Sequence, residues 1–132
     1  MDKRNIITID IGASKIRFMT VNERKKVTEY LDTPPINLVG WEIKNHELVK
    51  LLTDNIQRSI NDIQKEGNEV SAISIGSPGS LDPVKGIILI PPNLKGIRHL
   101  AIVDELKHTF NLPTFLLNDA DASVLGEWWL RE

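Results

Sequence analysis

Hydrophobic and polar positions along this chain follow two different periods. Residues 5–11, rich in Ile and Thr, run into Asp10-Ile11-Gly12 and predict a buried strand ending in a turn. Over residues 15–21, Ile16, Phe18 and Thr20 alternate with Arg17, Met19 and Val21, the two-residue period of a pleated strand. A polar turn at 22–24 leads to a third strand over 26–33. Links this short predict a three-stranded antiparallel meander.

Pro34-Pro35 ends the meander, and the period then changes. Leu48, Leu52, Ile56, Ile60 and Ile63 recur every three or four residues, which predicts an amphipathic helix ending near Gly67. Residues 70–75 form the next strand, and a crossover helix ahead of it implies a place in the same sheet with a right-handed connection. Gly76-Ser77-Pro78-Gly79 forces a tight turn, and residues 81–90 read as a hairpin around Lys85-Gly86. Pro91-Pro92-Asn93 must then leave the sheet, because proline has no amide to donate. Leu100, Val103, Leu106 and Phe110 mark a second helix, with Asn111 as its left-handed cap before Leu112-Pro113. Residues 114–117 form a last short strand, and a final helix starts at Ala120. The class is α/β: a meander plus parallel strands in one mixed sheet, flanked by helices.

Composition narrows this without changing it. A chain of 132 residues, 41% hydrophobic and 26% charged, holds one core and leaves no room for a second full domain. Lys and Arg number 16 against 18 Asp and Glu, a net charge of -2, so no positive excess exists to neutralise a nucleic-acid backbone. The absence of Cys removes disulfides, thiolate zinc sites and a Cys nucleophile together. The apolar stretch after Met1 is short and broken by Asp10, unlike a signal peptide or membrane span, so a cytoplasmic location is the default.

Three turns at strand ends carry the candidate chemistry, since ligands of open α/β sheets gather outside the strand ends. At Asp10-Ile11-Gly12-Ala13-Ser14-Lys15, Gly12 lets the backbone approach an anion, Ser14 and Lys15 can donate to phosphate oxygens, and Asp10 can hold Mg²⁺ directly or through water. The bland alternative is a hairpin turn in which Asp10 and Ser14 bond their own backbone. At Asn118-Asp119 the alternatives are a helix cap and a general base that accepts a proton from a hydroxyl attacking a phosphoryl group. The third turn is Gly76-Ser77-Pro78-Gly79. His46, His99 and His108 lack metal-ligand spacing and read as surface or capping residues. Trp128-Trp129 beside Leu130 reads as a packing surface.

Taken in order, these motifs resemble one family. Asp10-Ile11-Gly12-Ala13-Ser14-Lys15-Ile16-Arg17 is similar to the phosphate-contacting loop of actin-like sugar kinases, usually Asp-x-Gly-Gly-Thr-Lys. The run 75–83, then Gly86, Pro91-Pro92-Asn93-Leu94, Leu112-Pro113, Asn118-Asp119-Ala120-Asp121-Ala122 and Leu125-Gly126-Glu127, resembles the ROK family in particular. The resemblance spans nearly the whole chain.

It implies an RNase H-like (actin-like ATPase) lobe that binds a hexose or related sugar and supports ATP-dependent phosphoryl transfer to a sugar hydroxyl. By motif position Asp119 matches the catalytic base, Asn118 and Asn93 the partners of sugar hydroxyls, and Gly79 a backbone contact to the sugar. Asp10, Gly12, Ser14 and Lys15 match the loop for ATP phosphates and Mg²⁺. Two departures stand out: Ala13 replaces the common Gly, and Asp121 stands where Asn is usual, adding negative charge near Asp119. Residues 1–132 then form a single N-terminal, sugar-binding lobe, without the C-terminal lobe that carries the ATP-binding glycines and, in many members, a metal site. That lobe would come in cis or in trans, a homo-oligomer is allowed, and the chain alone should be nearly inert. Two other functions fit less well: a non-catalytic, sugar-sensing regulatory module of the same family, and an RNase H-like nuclease using Asp10 and Asp119 with two metals.

Overall fold

A computed structural model of the chain describes residues 4–12, 15–22, 27–29, 36–37, 42–77, 79–90 and 95–118. Strands β1 (Arg4–Ile11) and β2 (Lys15–Asn22) pair antiparallel, from Asn5 opposite Asn22 to Ile11 opposite Ile16. β3 (Val27–Glu29) pairs antiparallel with β2, and the rest of the expected third strand, residues 26 and 30–33, lies outside the described residues. A strand the hydrophobic pattern did not predict, β4 (Ile36–Asn37), pairs with the other end of β2, Asn37 opposite Lys15 and Ile36 opposite Ile16. Two residues are too few to carry a period, so only the pairing reveals it.

Helix α1 (Asn45–Lys65) buries Leu48, Leu52, Ile56, Ser59, Ile60 and Ile63 along one stripe. At its start the Lys44 amide donates to the Glu47 carboxylate at 3.1 Å, half of a capping box. At its end the Gly67 amide bonds the Gln64 carbonyl at 3.0 Å and the Asn68 amide bonds the Ile63 carbonyl at 3.1 Å, the paired arrangement of a Schellman stop. β5 (Glu69–Ser77) then lies parallel to β1, with Ile6 beside Ala72 and Asp10 beside Gly76.

β6 (Ser80–Asp82) and β7 (Ile87–Ile90) make a separate hairpin, whose turn is tied by Asp82 Oδ1 accepting from the amides of Val84 and Lys85 at 3.1 and 3.0 Å. Gly86 in this turn has φ 70°, and a Cβ there would overlap the Cβ of Val103. Only glycine lets the hairpin close against α2 (Ile102–Phe110) at that distance. α2 stops at Asn111, which takes the left-handed conformation (φ 53°, ψ 42°) and donates its amide to Lys107 at 2.8 Å. β8 (Thr114–Asn118) lies parallel to β5. The main sheet runs β3-β2-β1-β5-β8, with β4 added to β2: a mixed α/β sheet with flanking helices, as expected.

Every second residue of the central strands belongs to one core. Ile7, Ile9 and Ile11 of β1, Ile16 and Phe18 of β2, Ile73 and Ile75 of β5 and Leu116 of β8 are buried together with the α1 stripe and with Ile102 and Leu106 of α2. Both helices therefore pack on the same face of the sheet. Full burial of one such side chain contributes about 1.5–3 kcal/mol relative to exposure, so this face holds the fold. The alternate residues Ile6, Thr8 and Asp10 of β1 are only half-buried and lie on the opposite face. Among the described residues no helix is long and apolar enough to cross a membrane.

Candidate functional site

Because β1, β5 and β8 are parallel and adjacent, their C-terminal ends meet along one edge of the sheet. Asp10 is level with Gly76, Gly76 with Leu117, and Ser77 with Asn118. At the usual spacing between strands, Asp10 and Leu117 lie two strands apart, about 10 Å between backbones. That width spans a small ligand, and the strands that precede all three candidate turns end at this edge.

The first turn is narrow. The Gly12 amide donates to the Lys15 carbonyl at 2.7 Å, and a Cβ on Gly12 would stand 3.2 Å from that same oxygen. Asp10 is half-buried on the face away from the helices, and Arg17 lies directly across from it in the antiparallel register. Lys15 and Arg17 are both exposed and, two residues apart on β2, share that face. Two cations thus flank one carboxylate at the strand ends, and exposed positive side chains of this kind can attract an anion such as phosphate. Among the described residues no three His, Cys, Asp or Glu side chains cluster as a metal cage. A lone carboxylate suits Mg²⁺, which keeps most of its waters and takes its other ligands from phosphate oxygens.

At the second turn Ser77 is fully buried and Gly79 adopts φ 82°, a conformation that side chains avoid, so the chain swings sharply out of β5. At the third, Asn118 is exposed at the tip of β8. Asp10, Gly12, Lys15, Gly79 and Asn118 therefore all sit at or next to this edge, whereas Ser14, Asn93 and Asp119 lie outside the described residues. Arg17 carried no role in the motif; the two-residue period and a tight turn at Gly12 were enough to place it opposite Asp10.

The model of the ROK family matches residues 6–132. The chain belongs to the ROK family. It is 32% identical over 131 residues to the xylose repressor of Caldicellulosiruptor bescii, covering 99% of this chain and 32% of that protein. It is 30% identical over 129 residues to the glucokinase of Thermotoga maritima, covering 98% of this chain and 38% of that protein. Among solved structures, the ROK glucokinase of Streptomyces griseus in complex with glucose and AMPPNP superposes with a TM-score of 0.72 at 26% identity, covering 96% of this chain and 36% of that one. The chain thus spans roughly a third of the length of these relatives, which include glucokinases and a xylose repressor alike.

Proposed function

We propose that this chain is the sugar-binding N-terminal lobe of an ATP-dependent sugar kinase. The observation that supports this reading is the register of three strand ends, Asp10 beside Gly76 and Ser77 beside Asn118, from which the three motif turns start. Similarity to the glucokinase of Thermotoga maritima supports a hexose or a close derivative as the substrate class.

Within this reading each residue has a separate task. Asn118 and Asn93 accept and donate hydrogen bonds to neighbouring sugar hydroxyls, and the Gly79 backbone meets the sugar without a side chain in the way. Asp119 takes the proton from the hydroxyl that attacks the γ-phosphoryl group. Gly12, Ser14 and Lys15 donate to phosphate oxygens, with Arg17 adding a second positive charge on the same face. Mg²⁺ held through Asp10, directly or by a bound water, would neutralise charge on the phosphates. The ATP-binding glycines belong to a second lobe, supplied in cis or by a partner chain. Phosphoryl transfer needs donor, acceptor and base positioned together, so the isolated chain turns over no ATP in response to sugar.

The test uses the complete kinase. Asp119→Asn lowers kcat by roughly 10²-fold or more with sugar binding retained; an unchanged kcat removes Asp119 from the role of base. A regulatory reading is supported by the xylose repressor, which at 32% identity is as similar as the kinase. Sugar titrations separate the two: a sensor responds to sugar alone, whereas a kinase consumes ATP when sugar is present.

A further inference from the structure

We draw no further inference here: the strongest candidate, the sheet face opposite α1 and α2 that Ile6 of β1, Ala72 of β5 and the exposed Phe115 and half-buried Leu117 of β8 share, carries none because nothing among the described residues shows what covers it.

Discussion

Along β1, neighbouring side chains have opposite fates. Ile7, Ile9 and Ile11 are fully buried beneath α1 and α2, while Ile6, Thr8 and Asp10, on the other face of the same strand, are half-buried. β2 repeats the division, with Ile16 and Phe18 buried and Lys15 and Arg17 exposed. The helix-covered face is nearly pure aliphatic packing and contributes stability. The other face, at the strand ends, carries the charges of Asp10, Lys15 and Arg17. One pleated backbone thus serves two purposes, because alternate side chains never share an environment. Stability and chemistry should accordingly respond to different substitutions.

The largest expected effect is on the covered face. Ile75→Ala leaves a cavity among Ile residues and should cost about 2–5 kcal/mol in denaturant unfolding, with the slope against denaturant unchanged. A loss well under 1 kcal/mol, against that expectation, would mean the core closes over the gap and the contrast between the faces is shallow. Asp10→Asn, on the other face, should change stability by no more than about 0.5 kcal/mol while lowering turnover by the complete kinase roughly 10–100-fold. Equal turnover with and without the charge would take the cation away from Asp10. The smallest effect belongs to neither face. Lys50 and Asp54 on α1 pair at 2.9 Å, but their side chains are 78% and 61% exposed. Lys50→Ala should therefore cost only about 0.3–0.5 kcal/mol, vanishing in high salt. A larger, salt-resistant loss would point to packing by the Lys50 stem.

Much of this division was legible from the residues. The switch from a two-residue to a three- or four-residue period separated β1 and β2 from α1, and Asn111 announced the end of α2 because its short polar side chain tolerates the left-handed conformation. The candidate site was legible only as motifs in order: Asp10 and Gly12, Gly79, and Asn118 ahead of Asp119. Their proximity was not, because residues 10, 76 and 117 become neighbours only once β5 has chosen β1, and β8 has chosen β5, as parallel partners. β4 escaped notice for want of length. The two hydrogen bonds between the Asn45 side chain and the Arg98 backbone escaped for another reason: an Asn at a helix start reads as a local cap, and nothing in a periodic pattern couples it to Arg98.

The sequence alone therefore determined what is local: which segments form strands and helices, where they stop, and which residue types stand at their ends. It also determined the family, because several motifs in fixed order constrain far more than any one of them. The tertiary structure decided which strand ends are adjacent, which face of the sheet the two described helices cover, and which backbone Asn45 holds. The physical reason is range. Periodicity and capping act over a few residues, whereas strand pairing and close contacts such as Gly96 against Ile43 join positions far apart in the chain, at a cost in loop closure that only the assembled core offsets.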